Sequence, residues 1–333
     1  MDAIYLVKHG KSEVAFERRP FHAAQPQNDE VLIEVEAFGL NFADVMARLG
    51  HYNDCPPLPA IIGYEVVGKV SVIGKEVVGL AVGDRVLGFT RFGAYAQFAV
   101  AKGLGVVKID DYDANKALAL GTQYCTAYYA AHVATNILPC DRVLIHAAAG
   151  GVGTALIQLA KLVGCKIYGT AGSDSKLKYL REQGVDVPIN YKKDDFSKVI
   201  KEPIDVAFDS IGGENFRKSY KLLNQGGRIV GYGAAFQTET SNIFSKAKFG
   251  LDFGIYHPAQ FLMESRSLIG VNMLRIADHR MDIMKLCLDN VVALALADKI
   301  DPTKGGMYPI SELGKAHDAL QNRQTIGKVG VYW

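Results

Sequence analysis

The chain has 333 residues, 49% of them apolar and 22% charged, with a formal net charge of +2. That length exceeds one comfortable hydrophobic core and points to two domains, and the average composition is that of an ordinary soluble globular protein. Scattered basic residues exclude a nucleic-acid footprint. No apolar run is long enough to span a membrane, and Met1-Asp2-Ala3-Ile4 opens no signal peptide, so a cytoplasmic protein with no integral membrane segment is expected.

Residues 1 to about 110 read as β-rich. Val31 to Ala37, Glu65 to Val70, Asp84 to Phe89 and Ala94 to Val100 are strand-like, with glycine, proline and aspartate turns between them. Asn41 and Asp44 suit the cap and acidic first turn of a helix. From about residue 120 helix and strand alternate. Arg142 to His146 reads as a buried strand, Thr154 to Val163 as a helix with one apolar face, and Lys166 to Ala171 as a second strand. Next come a helix near Ser175 to Gln183, a strand near Asp186 to Ile189, a strand at Ile204 to Asp209 and a helix near Asn215 to Leu223. Strands at Arg228 to Tyr232 and Ser267 to Val271 complete a doubly wound, parallel α/β sheet. Between them Phe236, Phe244, Phe249, Phe253, Tyr256 and Phe261 suit a lid, a dimer surface, a membrane-contact patch or, most simply, helices packed on the domain edge. A helix at Ser311 to Gln321 and a strand at Lys328 to Tyr332 end the chain, and their pattern alone does not place them. There is no internal repeat.

Ala147 to Gly153 reads A-A-A-G-G-V-G between the first of these parallel strands and its helix. In a G-x-G-x-x-G frame the positions are Ala148, Gly150 and Gly153. Small residues there allow a tight turn, let backbone N–H groups approach a pyrophosphate and bring helix close to strand. A small-residue turn that only packs a helix on a sheet is the plain alternative; the flanking strands and helix favour cofactor binding by Gly150, Gly151, Val152 and Gly153. The five cysteines, Cys55, Cys125, Cys140, Cys165 and Cys287, are widely spaced without a C-x-x-C pair, so neither a disulfide framework nor a cysteine-rich zinc site is indicated. His51, His132, His146 and His257 show no metal spacing and read as structural.

The glycine turn behind a β-rich domain, Gly39 to Arg48 (G-L-N-F-A-D-V-M-A-R), Gly50-His51-Tyr52, Pro56-Pro57-Leu58-Pro59 and Ile189-Asn190-Tyr191 together resemble the zinc-free quinone oxidoreductases among the medium-chain dehydrogenase/reductases. The N-F-A-D-V-M-A-R string and Thr122 to Tyr128 look most like homologues of the vesicle amine transport protein. The resemblance implies a GroES-like β-rich catalytic domain, residues 1–120 completed by about 275–333, and an NADPH-binding Rossmann domain, residues 121–274. It also implies a homodimer, with Ser267 to Val271 pairing with its copy at the sheet edge. Zinc-dependent relatives place a cysteine at position 41 and a histidine at position 64, where this chain has Asn41 and Tyr64, so no metal site is expected.

NAD-specific members carry an acid about 20 residues past the glycines, on the ribose 2′-hydroxyl. Here that position is Ala171, and Ser173 and Lys176 can donate to a 2′-phosphate, which favours NADPH; as residue types alone they are ordinary surface residues. Asp174 is a complication, read as turned to solvent or capping the next helix. The resemblance further implies that Asn41 faces the nicotinamide ribose and that Tyr191 and Arg323 lie near the 2′-phosphate. Thr126, Thr170, Gly231 and Val271 are expected along the cofactor. Tyr52 stands where related enoyl reductases use a tyrosine as proton donor; its plain alternative is a packing tyrosine. The function expected is NADPH-dependent reduction of quinones or other α,β-unsaturated carbonyls. The rival is a non-enzymatic, membrane-associated or structural NADPH-binding protein of the vesicle amine transport type, since fold does not fix function.

Overall fold

Ile33, Val35 and Ala37 are buried and alternate with exposed Glu34 and Glu36, and this period of two makes Glu30–Leu40 the central strand of the N-terminal sheet. The structure is a computed structural model that describes residues 1–233 and 251–333. The chain divides into two units, Met1–Cys125 with Met273–Trp333, and Thr126–Asn272.

In the first unit β1 (Asp2–Leu6) pairs antiparallel with β2 (Phe16–Pro20), and the single turn α1 (Ser12–Ala15) lies between them. The central strand, β3 (Glu30–Leu40), leads into α2 (Phe42–Leu49), which Gly50 closes at φ 77°. Then follow β4 (Glu65–Ile73), β5 (Arg85–Phe89), β6 (Phe98–Lys102), β7 (Val106–Lys108) and α3 (Ala114–Ala119). The strand expected from Ala94 begins only at Phe98, because residues 94–97 turn to β1 instead: Tyr95 O accepts the Ile4 N–H at 2.7 Å and Ala96 bridges Ala3. From Leu120 to Ala134 the chain is helical, with π-helical turns at Leu120–Tyr124 and Tyr129–Ala134.

The second unit contains β8 (Arg142–Ile145), α4 (Gly151–Val163), β9 (Lys166–Ala171), α5 (Asp174–Glu182), β10 (Val187–Asn190), α6 (Phe196–Val199), β11 (Ile204–Asp209), α7 (Glu214–Leu222), β12 (Leu223–Gly231), α8 (Pro258–Glu264) and β13 (Ser267–Gly270). Its six strands are all parallel, in the order β10-β9-β8-β11-β12-β13, which is the doubly wound sheet the alternation specifies. Strand β13 stands at one edge. Phe236, Phe244 and Phe249 lie outside the described residues. Phe253 packs on Phe216 at 5.3 Å between ring centroids, and Tyr256 and Phe261 pack on Tyr220 at 4.9 and 6.1 Å, so these aromatics cover the domain edge.

The chain then returns to the first unit through α9 (Met273–His279), α10 (Met281–Leu296), β14 (Lys304–Pro309), α11 (Leu313–Gln321) and β15 (Lys328–Tyr332). Strand β15 pairs antiparallel with β3, Val329 opposite Leu40, and parallel with β14, so the C-terminus completes the N-terminal sheet.

Two histidines are locked in these cores. His146 Nε2 lies 2.8 Å from Ser219 Oγ and Nδ1 3.1 Å from Thr170 Oγ1. Because the Ser219 hydroxyl donates to Asn215 O at 2.9 Å, Nε2 must be the donor, and with burial favouring the neutral ring Nδ1 accepts from the Thr170 hydroxyl. Burial lowers the pKa of His146, and burial, then the charge of Arg48, lowers that of His317 to about 3. With folded values depressed, both contributions to stability are complete above the unfolded value of about 6.5 and are lost as pH falls towards the folded values. Unfolding free energy measured by denaturant titration is therefore expected to drop between about pH 6.5 and 3 through His317, by up to about 1.4 kcal/mol per pH unit, with His146 steepening the drop below about pH 6.5. A His317→Phe variant should lose its share of that slope.

Candidate active site

Three adjacent strands of the first unit bring their polar residues together at one end. Val329 lies opposite Leu40 and Phe38 opposite Val66, so Lys328 at the start of β15, Asn41 just past β3 and Glu65 at the start of β4 are neighbours. Asn41 Nδ2 donates to both Glu65 carboxylate oxygens at 2.9 Å, and Lys328 Nζ donates to Asn41 Oδ1 at 2.9 Å. The Lys328 ammonium also contacts Glu65 directly, and the Thr122 hydroxyl donates to the same carboxylate. Lys328 and Glu65 side chains are both 0% exposed. The amide of Asn41 has one electrostatically acceptable orientation, since a flip would set its oxygen against the carboxylate and its NH₂ against the ammonium.

Glycine makes room for this pair. A Cβ on Gly39 would lie 2.1 Å from Glu65 Oε1 and 2.5 Å from Lys328 Cε, and one on Gly121 would lie 2.9 Å from Glu65 Cβ. Beside it Asp44 Oδ2 accepts the Asn41 N–H at 2.7 Å, which closes the first turn of α2 and fits the structural part expected of Asp44. Burial, reinforced by Glu65, raises the Asp44 carboxyl to about 8 against the opposing pull of the Asn41 N–H, Lys328 and the Gly63 N–H.

Tyr64 is buried, and its phenol is held far above its ordinary pKa chiefly by that burial, then by Asp44. Its ring meets the half-buried Tyr52 edge-on at 6.5 Å and Phe92 at 5.1 Å. Burial raises the Tyr52 phenol as well. The groups at the metal-ligand positions of zinc-dependent relatives are thus an amide and a phenol that keeps its proton, beside a carboxylate already paired with an ammonium. Among the described residues no group of three or more His, Cys, Asp or Glu is placed to hold a metal.

The second unit gathers its loops along one edge of the sheet. Parallel strands place the turns after β8, β9, β10 and β12 at one side of the sheet. Helix α4 begins at Gly151, inside the glycine turn and three residues before the expected Thr154, so the free N–H groups of Gly151, Val152 and Gly153 form its N-terminus. At Gly153 a Cβ would come within 2.5 Å of Ala147 O, whereas Ala148 keeps an ordinary negative φ, so alanine is tolerated in the first glycine position.

After β9, Ser173 caps α5 by accepting the Lys176 N–H at 3.3 Å, so the cap falls to Ser173 and not to Asp174. Tyr191, 40% exposed, lies over Gly172, where a Cβ would sit 2.4 Å from the Tyr191 hydroxyl. Gly231 and Val271 meet where β12 ends, through the Val271 N–H on Gly231 O at 2.9 Å. Thr170 is buried with its hydroxyl on His146, and Thr126 is buried near the start of this unit. Arg323 belongs to the first unit, at φ 57° just past α11. Asp209, to which the sequence assigned no role, caps the turn after β11 by accepting the Ile211 and Gly212 N–H groups at 2.6 and 2.8 Å. Glu65 and Lys328 likewise have no role assigned by the sequence; the signal there is a charged residue opening a strand whose other inward positions are apolar.

A GroES-like sheet closed by its own C-terminus and a parallel dinucleotide-type sheet define a two-domain dehydrogenase/reductase. Residues 27–111 match the alcohol dehydrogenase GroES-like domain and residues 151–288 the family described as zinc-binding dehydrogenase. The synaptic vesicle membrane protein VAT-1 homologue of Rattus norvegicus is 32% identical over 96% of this chain and 81% of its own length. The chain spans 64% of the Danio rerio counterpart. The Escherichia coli quinone oxidoreductase, solved with NADPH, superposes with a TM-score of 0.85 at 26% identity over 100% of both chains. The CurK enoyl reductase gives 0.85 at 27% identity over 99% of this chain and 98% of its own. The chain belongs to the medium-chain dehydrogenase/reductases, of the quinone oxidoreductase and VAT-1 type.

Truncating one member of the buried pair leaves the other charge uncompensated. Lys328→Met is expected to lower the unfolding free energy by about 3–5 kcal/mol. Combining it with Glu65→Leu, which removes both charges, should recover part of that loss in the same denaturant titration.

Proposed function

We propose that this protein is an NADPH-dependent reductase of quinones or other α,β-unsaturated carbonyls that works without zinc. The Lys328–Glu65–Asn41 network carries this reading, because it fills the metal-ligand neighbourhood of zinc-dependent relatives with a neutral, hydrogen-bonded ion pair. An amide and an un-ionised phenol are poor zinc ligands. The relatives named as quinone oxidoreductase and enoyl reductase support the substrate class.

The backbone N–H groups at Gly151, Val152 and Gly153 are suited to the pyrophosphate, with Gly150 opening the turn. Ser173, Lys176 and Tyr191, with Ala171 in place of an acid, suit a 2′-phosphate, and Arg323 is proposed for the same group. Gly231, Val271 and Thr126 would line the cofactor. Thr170, its hydroxyl committed to His146, would contribute through its backbone. When bound, NADPH supplies the hydride.

The chain's own share is position and protonation. Asn41 is held rigidly by Glu65 and Lys328 at the start of α2, which suits a fixed wall beside the nicotinamide ribose. Tyr52, its pKa raised by burial, keeps its proton at neutral pH and is the proposed donor to a reduced enone, with the Tyr64 ring packed edge-on against it. A reduced quinone is a weaker base and takes its proton from water.

Assays of NADPH turnover on a panel of quinones and enones test this. Tyr52→Phe should leave NADPH affinity unchanged and lower enone turnover by at least about tenfold, with a smaller effect on quinones. A Tyr52→Phe variant that reduced both substrate types at the wild-type rate would make Tyr52 a packing residue. Chelator should leave the rates unchanged, and metal analysis should find no stoichiometric zinc.

The exposed side chains of Ile255, Leu262 and Met263, at 88%, 82% and 83%, favour a second reading, a catalytically weak, membrane-associated protein. Absence of turnover across the panel together with vesicle binding would support it. The edge position of β13, with Leu268 43% exposed, favours a homodimer built by pairing that strand with its copy. Light scattering at micromolar concentration should give twice the chain mass; a monomer would rule this pairing out.

A further inference from the structure

One carboxylate staples the turn after β9 to the turn after β10. Lys193 Nζ donates to Asp174 Oδ1 and Oδ2 at 3.0 and 2.8 Å, and Asn190 Nδ2 donates to Oδ1 at 3.1 Å. Asn190 is buried and itself fixed: its side-chain oxygen accepts the Lys192 N–H at 3.1 Å, and its backbone oxygen accepts the Lys193 and Asp194 N–H groups at 2.9 Å. The turn after β10 therefore presents Lys193 to Asp174. The same small region contains the Ser173 cap, Lys176 and the Tyr191 ring lying over Gly172.

In a doubly wound sheet this turn holds the adenosine ribose. A carboxylate there has opposite consequences for the two nicotinamide cofactors. Unpaired, it accepts hydrogen bonds from the 2′-hydroxyl of NADH and repels the 2′-phosphate of NADPH. Paired, it is half of a neutral couple, and the ammonium beside it adds positive potential for a phosphate. Lys193, then Asn190, holds the Asp174 carboxyl below its ordinary pKa, so the acid stays ionised and the groups around it decide its effect.

We propose that Lys193 sets the cofactor preference of this protein by occupying the Asp174 carboxylate, and that Asp174 becomes an NADH-selecting acid when Lys193 is removed. The proposal rests on the NADPH reading above. Lys193 is a positioning residue here, and Arg181 is a further cation acting on the same carboxylate, though only through space.

The test measures dissociation constants of NADPH, NADH, 2′,5′-ADP and 5′-AMP for wild type, Lys193→Ala, Asp174→Asn and the double variant, at low and high salt. Lys193→Ala should reduce the NADPH-over-NADH preference by at least about tenfold, mainly by weakening NADPH, with the same trend for 2′,5′-ADP over 5′-AMP. The double variant should return the preference close to that of wild type, and the single-variant effect should shrink at high salt. An equal loss for all four ligands, or a loss that Asp174→Asn does not repair, would reduce Lys193 to a structural staple and overturn the proposal. A wild type that binds NADPH and NADH equally would overturn the cofactor reading itself, an outcome visible before any variant is made.

Discussion

The ion pair between Lys328 and Glu65 is the constraint around which the first unit is arranged. Neither side chain is exposed to solvent, and an ammonium or a carboxylate removed from water is tolerated only when paired and hydrogen-bonded. Lys328 finds Glu65 and the Asn41 carbonyl only if β15 lies beside β3 in its present register. A slip of one residue would turn Lys328 to the opposite face of the sheet and strand both charges. The pair thus fixes where the C-terminus must return. Gly39 and Gly121 are glycines for the same reason, since a Cβ at either would enter the space of Glu65.

Burial sets the charge state of what surrounds the pair. Once one full positive and one full negative charge are buried together, a further buried charge nearby has no partner of its own. Burial raises Asp44, Tyr64 and Tyr52 so that all three hold their protons; of the pair, Glu65 adds to the rise at Asp44 and Lys328 opposes it. The region is therefore overall neutral but strongly polar, with fixed dipoles around an unmoving Asn41. Such preorganisation suits chemistry in which charge develops briefly on a substrate oxygen, because no solvent has to reorganise.

Much of the fold was legible because its signals are local. The alternation of β3, the apolar parallel strands and the A-A-A-G-G-V-G turn all fall within short windows of sequence. Helix α10 was not among the expected elements, although Met284, Cys287, Leu288, Val291, Val292 and Ala295 are buried at helical spacing; its paired valines disguise it. Strand β14, K-G-G-M-Y-P, has no such pattern and exists as a strand because β15 pairs with it. The candidate site was harder to read. Asn41 and Lys328 are 287 positions apart, and the local signal at Lys328, a charge opening an apolar strand, does not say which distant groups it meets.

The adenosine end of the second unit shows a related limit. A rule that reads one position at the end of the second strand finds Ala171 and reports no acid. The acid is present a little later in the same turn, as Asp174, and its electrostatic effect depends on a lysine contributed by the turn after the next strand. Identity at one position is therefore an incomplete description of preference, because a carboxylate clamped by an ammonium and an amide does not act on a phosphate as a free one does. The informative unit is the carboxylate with its partner, and that partner becomes visible only when the parallel register of β9 and β10 sets the two turns side by side.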